Sequence, residues 1–321
     1  MAMKDSYGVK LAAKLQFMLE QPRSSIGYGL TNNYYEGEFF QIGDTVKMVT
    51  ANDNTVNVEF DIGTKTDTRA AEAQCDFKSD LLTVDSAAKY NIYVSDINKA
   101  EGKWDYPSLG IAKAANEIRR KHDLDVAEQA AINAPLVDST ITASNPKVVT
   151  ADTIYSDVLV PIFLKLHDAG ASVPGAEEPV GDNPQVAHDT QVTVYMPSSI
   201  FGLILQSKYV TDRSTVSADG VVKTGVYKEC LGMRLEMEPA LDQNAEEHID
   251  IATLTPKAGA LPIIAGTKNF ITQASKVLPP DEFVNQSKHG KNYSGLEIFG
   301  RKIVQNKAAC IFWATLNATT V

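Results

Sequence analysis

The sequence predicts an α+β chain built around a strand pair that feeds one long helix. Three observations predict it. Leu81-Leu82-Thr83-Val84-Asp85 and Tyr90-Asn91-Ile92-Tyr93-Val94 carry the β-branched and aromatic residues that suit a half-buried pleated surface. After a polar crossing from Ser95 to Asp105, Pro107 stands where a helix can begin, because the first turn has no use for its missing N–H. From there Ile111, Ala115, Ile118, Val126 and Ala130 keep one apolar stripe, while Lys113, Glu117, Arg120, Asp123 and Glu128 mostly face away. A helix over 107–134 would be about 40 Å long at about 1.5 Å per residue, longer than an ordinary globular helix.

The remaining elements follow in chain order. Residues 1–21 suggest a short amphipathic helix stopped by Pro22, then a Gly- and Tyr-rich extended stretch through Tyr35. Strand-like runs at 45–50 and 55–60 flank Ala51-Asn52-Asp53-Asn54, whose Asn and Asp residues favour a turn, so a hairpin is expected. The polar, aperiodic stretch 63–78 fits the exposed tip of a projecting loop. A two-stranded ribbon is marginal in water alone and needs cover from its own domain or from a neighbour. Beyond a Ser/Thr-rich connection at 137–146, a second helix is expected over 151–169, with Thr150 as N-cap, Gly170 as stop and Pro161 as kink. Its stripe includes Ile154, Val158, Phe163 and Leu166.

Residues 171–190 form a Gly/Pro-rich loop with Glu177, Glu178 and Asp182 exposed; its length favours either flexibility or contact with a partner. Gln191–Met196 alternates as a strand, Pro197 opens a short helix through Gln206, and Met233–Met237 alternates again behind Gly225 and Gly232. The end of the chain predicts a strand at 261–265, a helical piece near 267–275, and strands at 296–304 and 309–313, with 295–304 resembling a glycine-bounded strand pair. No repeat of 20 to 50 residues is visible, which weighs against a solenoid or propeller.

Composition narrows the function. The chain has 321 residues, 44% apolar and 22% charged, an ordinary globular balance with room for two lobes. The formal charge of −10 argues against wrapping nucleic acid through its phosphates, which rests on Lys and Arg. Residues 1–23 and 257–307 are locally basic, most simply as solvated faces. Cys75, Cys230 and Cys310 are odd in number and have no paired spacing, so a reducing compartment is expected. No apolar run approaches the roughly 20 residues of a membrane span.

A search for chemistry finds no phosphate-binding loop, dinucleotide fingerprint or nucleophile elbow. His122, His167, His188, His248 and His289 are scattered without zinc-ligand spacing. In His122-Asp123-Leu124-Asp125, successive helical residues point in different directions, which gives the cluster a structural, solvated role. Glu246-Glu247-His248 and Glu177-Glu178 read as exposed loop charges, and Asp219-Gly220 as a turn. Trp104 and Trp313 suit packing. The expectation is no catalytic residue, no metal and no cofactor.

The ordered set of parts, Gly43-Asp44-Thr45-Val46-Lys47-Met48 followed by the strand pair, the long helix, and the strand, proline-led helix and glycine-bounded turn of 191–237, resembles the major capsid protein of tailed phages, the Hong Kong 97-type fold. The resemblance covers about 37–313 as a pattern of elements. It implies an N-terminal arm at 1–36, an E-loop with peripheral-domain strands at 37–97, a spine helix and connection at 98–149, an axial domain at 150–275, and shared C-terminal strands at 276–321. It also implies hexamers and pentamers tiling an icosahedral phage head around double-stranded DNA bound without sequence preference, a virion protein assembled in the bacterial cytoplasm. Because no large extension precedes the arm, a separate scaffolding protein is expected, with a portal and a decoration protein as further partners and no membrane. By matching position, Lys47, Asp53, Lys65, Glu177, Glu178 and Arg213 are inferred inter-subunit contacts. Some relatives link a loop lysine to a neighbour's asparagine; Lys47 or Lys65 with Asn285 or Asn292 would fill those roles, but no local motif supports it. The alternatives are an encapsulin-like compartment of the same fold and a soluble α+β enzyme or ligand-binding protein.

Overall fold

The computed structural model describes residues 26–32, 43–51, 77–96, 106–169, 192–207, 229–243 and 248–316. The expected N-terminal helix, the strand at 55–60, the loop tip at 63–76, the loop at 171–190, Gly170, Asp219-Gly220 and Trp104 lie outside them. Helix α1 (Ile26–Gly29) is followed by strands β1 (Thr31–Asn32), β2 (Thr45–Ala51), β3 (Phe77–Thr83) and β4 (Ser86–Ser95), then by the long helix α2 (Tyr106–Asn133). Next come β5 (Lys147–Val149), a π-helical turn (Tyr155–Leu159) running into α3 (Val160–Asp168), β6 (Thr193–Met196), α4 (Ser198–Gln206), β7 (Glu229–Cys230) and β8 (Met233–Met237). The chain closes with β9 (Ala260–Gly266), β10 (Ile271–Val277), β11 (Asp281–Val284), β12 (Gly290–Ile303) and β13 (Ala309–Leu316).

Two sheets carry the body. The six-stranded sheet has the order β5-β13-β9-β6-β8-β7, and β9 pairs antiparallel with both β13 and β6. Period-two alternation sends its residues to two different cores. Cys310, Phe312, Ala314, Leu261, Ile263 and Val194 face α3 and α4, where Ile154, Val158, Ile162, Ile200 and Ile204 fill the space. Ile311, Trp313, Ile264 and Tyr195 face the other way, onto Val126, Ala127, Ala130 and Ala131 of α2 and onto Ile26 and Leu30.

The second sheet joins β1, β10, β12 and β11 in order, with β4 on the other side of β12. Here α2 lays its first half, with Ile111 and Ala115 against Tyr90, Ile92 and Val277. The 28-residue helix, about 42 Å at 1.5 Å per residue, therefore spans both sheets. Its expected stripe is the buried one: Ile111, Ala115, Ile118, Val126 and Ala130 are all in the core.

Four expectations are corrected. Residues 26–29 form a helical turn, not an extended stretch, because the N–H groups of Ile26 and Gly27 are met by side-chain oxygens of Glu238 and Asp123. Residues 271–277 are a strand, since β10 pairs with both β1 and β12 and sheet pairing overrides the helical periodicity. The glycine-bounded strand pair at 295–304 is part of one continuous fourteen-residue strand, β12. Gly300 marks no turn: a Cβ there would lie 2.3 Å from the Thr83 carbonyl oxygen, where β3 crosses the sheet. The second helix opens as a π turn, with Val160 N–H donating to the Tyr155 carbonyl. Pro161 sits just past it and donates nothing to the preceding turn, so the irregularity falls where the kink was expected.

Candidate assembly surfaces

The ribbon β2–β3 is the first surface. Its register runs antiparallel from Thr45↔Thr83 to Ala51↔Phe77, so the partner of β2 is 77–83, with the expected partner at 55–60 inside the undescribed segment between them. Gly43 N–H donates to the Val84 carbonyl at 2.8 Å, and Val84 N–H donates back to Asp44 at 3.0 Å, which clamps the root of the ribbon. Val46, Leu82 and Val84 turn inward onto Ala274 and Ile298. On the opposite face Lys47 and Leu81 are register partners, and both are exposed, Leu81 at 57%. Over 45–47 and 81–83 one face of the ribbon is thus finished and the other is bare. Of the six expected contact residues, Lys47 is on this bare face; Asp53, Lys65, Glu177, Glu178 and Arg213 lie outside the described residues.

The tip between β11 and β12 is the second. All four residues of β11 are exposed, with Val284 at 69%. Asn285 Oδ1 accepts from Ser287 N–H at 2.9 Å, Ser287 Oγ at 2.9 Å and Lys288 N–H at 3.0 Å, while its Nδ2 donates to Asn292 Oδ1 at 3.1 Å. Both asparagines imagined as cross-link acceptors are therefore joined in the turn itself, an Asx arrangement. Tyr93 adds a hydroxyl donated to the His289 carbonyl at 2.7 Å and a ring under the Lys288 ammonium.

Between the two halves of α2 lies a polar cluster that sequence reasoning missed. His122 and Asp125, three residues apart on one helical face, both meet Arg301 of β12. Arg301 Nε donates to Gln273 Oε1 at 2.7 Å, and His122 Nε2 lies 3.1 Å from Glu297 Oε2. Because a guanidinium faces Nδ1, the imidazole proton sits on Nε2 and is donated to Glu297. Burial pulls the Arg301 pKa down, and Asp125 and Glu297 oppose that shift. The solvated role expected for this stretch holds for Asp125, whose side chain is 44% exposed, and is corrected for His122, which is 13% exposed and lies against the buried Arg301 and Glu297 side chains. Asp123 points elsewhere and accepts from Gly27 N–H at 2.9 Å. The i, i+3 spacing of His122 and Asp125 was the available signal, but nothing local announces Arg301, 176 residues away.

Among the described residues no group of His, Cys, Asp and Glu could hold a metal ion, and no helix is long and apolar enough to cross a membrane. Cys230 and Cys310 are buried free thiols, and burial pushes the Cys310 thiol up to about 12, which makes it a poor nucleophile. Trp313 is buried in the core.

No family model matches the chain, and no curated protein matches it by sequence. Solved structures do match in shape. A structure from Mycobacterium phage Che8 aligns at 14% identity with a TM-score of 0.61, over 91% of this chain and 92% of that one. The mature capsid of bacteriophage PhiM1 aligns at 10% identity and TM-score 0.56, over 94% and 89%. The capsid of cyanophage P-SCSP1u gives 12% and 0.53, over 92% and 89%. The fold is the Hong Kong 97-type capsid fold.

Proposed function

We propose that this chain is a major capsid protein that self-assembles into hexamers and pentamers of an icosahedral phage head enclosing double-stranded DNA. The observation that carries the reading is the two-way coverage: about nine-tenths of this chain aligns with about nine-tenths of the PhiM1 and P-SCSP1u capsid chains, so little of either is left over for another job. The half-finished E-loop root supports it, because a ribbon bare on one face suits a neighbour that covers it. Closed symmetry would use that face many times. The role is structural, with no catalytic step.

Finer parts of the reading belong to the same proposal. Residues 1–36 act as the N-terminal arm, 37–97 as E-loop and peripheral strands, 98–149 as spine and connection, 150–275 as axial domain, and 276–321 as shared C-terminal strands. Lys47, Asp53, Lys65, Glu177, Glu178 and Arg213 contact neighbouring subunits. A separate scaffolding protein, a portal and a decoration protein join the shell, which is assembled in the host cytoplasm.

Particle mass and shape decide the matter, measured by light scattering and negative-stain electron microscopy with and without a co-expressed scaffolding candidate. Closed shells or capsomer rings are expected. A persistent monomer of 34.9 kDa under both conditions overturns the proposal. Particles that hold an enzyme in place of DNA would turn it into a protein compartment of the same fold.

A further inference from the structure

The short plug formed by α1 and β1 follows residues 1–25 in the chain, and its attachment is unusual. Ile26 and Leu30 are fully buried, β1 runs parallel to β10, and Ile271 N–H donates to the Leu30 carbonyl at 3.0 Å. The first N–H of the plug, Ile26, donates to Glu238 Oε2 at 3.1 Å across 212 residues. Glu238 Oε1 accepts from Ala240 N–H at 3.3 Å, and Glu238 N–H is fixed on the Met196 carbonyl at 3.0 Å. The residue is 6% exposed. A glutamate this deep ordinarily has a cation beside it, yet among the described residues no cation pairs with Glu238.

The groups that face it are like-charged or neutral. From α2 comes Asp123, already holding Gly27 N–H. From β8 comes Glu236, itself paired with Arg234 at 2.6 Å. From β6 comes Tyr195, whose phenol is kept protonated by burial and which closes on the plug so tightly that a Cβ on Gly29 would lie 1.6 Å from its hydroxyl. We infer that the plug is a proton-operated latch, seated while Glu238 carries a proton and loosened once Glu238 ionises, so that protonation governs how firmly the N-terminal segment is rooted.

Burial, followed by the Asp123 charge, pushes the Glu238 carboxyl up from 4.5 to about 7, against the N–H groups of Ile26 and Ala240, which pull it down. An opened plug lets water reach Glu238 and returns it toward the ordinary value. A group with a raised pKa in the seated state stabilises that state fully below its ordinary value, and the stabilisation is lost as pH rises to the raised one. The plug is therefore firm near pH 4.5 and loosens up to about pH 7.

Hydrogen exchange on the full chain, in whatever assembly state it adopts, tests this, so failure here and failure of the capsid reading are separate results. Exchange of 26–32 is followed from about pH 5 to pH 8, corrected for chemical exchange, with the 126–134 half of the spine helix as reference. The opening constant of the plug should rise up to about tenfold per pH unit to about pH 7 and level off above it, while the reference does not follow. Glu238→Gln should flatten the profile and keep the plug protected at pH 8. Asp123→Asn, which still offers an oxygen to Gly27, should bring the plateau at a lower pH and a smaller opening. A flat wild-type profile, a plug that merely tracks the spine helix, or a Glu238→Gln profile that climbs like the wild type overturns the inference. If Glu238→Gln does not fold, the wild-type profile alone decides.

Discussion

The six-stranded sheet and the ribbon β2–β3 are both β-structure from the same chain, but only one of them is finished by it. Every residue of β9 and the first six of β13 are buried, because helices cover one face of the sheet and the spine helix and plug cover the other. In the ribbon β2–β3, Val46 and Leu82 are buried while Lys47 and Leu81 stand in water. A two-sided core makes the first region self-sufficient. The second offers surface. Stability should therefore concentrate in the sheet and assembly in the ribbon, and substitutions can separate the two.

The largest loss is expected in the sheet. Trp313→Ala removes the largest fully buried side chain among the described residues, which stands on the α2 side, and should cost about 3–5 kcal/mol of unfolding free energy in a denaturant titration followed by circular dichroism. A loss under about 1 kcal/mol would show that this face is not closed after all. Next comes Arg301→Met, which removes the guanidinium bonded to Asp125, His122 and Gln273 and leaves the buried Glu297 with its His122 bond but without that nearby positive charge, and should cost about 3 kcal/mol. Because the penalty is the uncompensated charge, adding Glu297→Gln should restore part of the lost stability. If the double variant is as unstable as the sum of the singles, the cluster is not acting as a charge network.

What the sequence made legible follows the same division. The spine helix was readable to within a residue at each end, because its stripe is periodic over 28 residues and the proline at its start is a local signal. Strands of the buried sheet were also readable, from alternation at Thr193–Met196 and Met233–Met237. Contacts that depend on distant partners were not. The strand at 271–277 has helix-like spacing and becomes a strand through pairing with β1 and β12, and the helical turn at 26–29 is set by side-chain oxygens of Asp123 and Glu238. Of the expected contact residues, the described structure reaches Lys47 alone, so the surface was legible as a bare ribbon face more than as named side chains.

Smaller effects probe the boundary between the regions. Gly29→Ala forces a methyl onto the Tyr195 hydroxyl and should cost about 1–3 kcal/mol. Its mark should be local, with faster proteolysis near residue 26 before any change around α3, since the plug is seated on one face of the sheet only.

The least effect on the fold and the sharpest test of the comparison come from Leu81→Asp. Leu81 is 57% exposed and opposite Lys47, so an aspartate there loses little burial and gains a cross-strand partner of opposite charge. Unfolding free energy should move by no more than about 0.5 kcal/mol. If a neighbouring subunit covers this face, the same substitution buries an unneutralised or newly paired charge at every copy of the interface, and particle yield should fall sharply while the melting temperature of the unassembled chain stays put. Leu81→Ala should be milder on yield, because it removes contact without adding charge. Unchanged particle yield with Leu81→Asp would mean that the bare face of the ribbon stays bare on assembly and is finished by nothing but solvent.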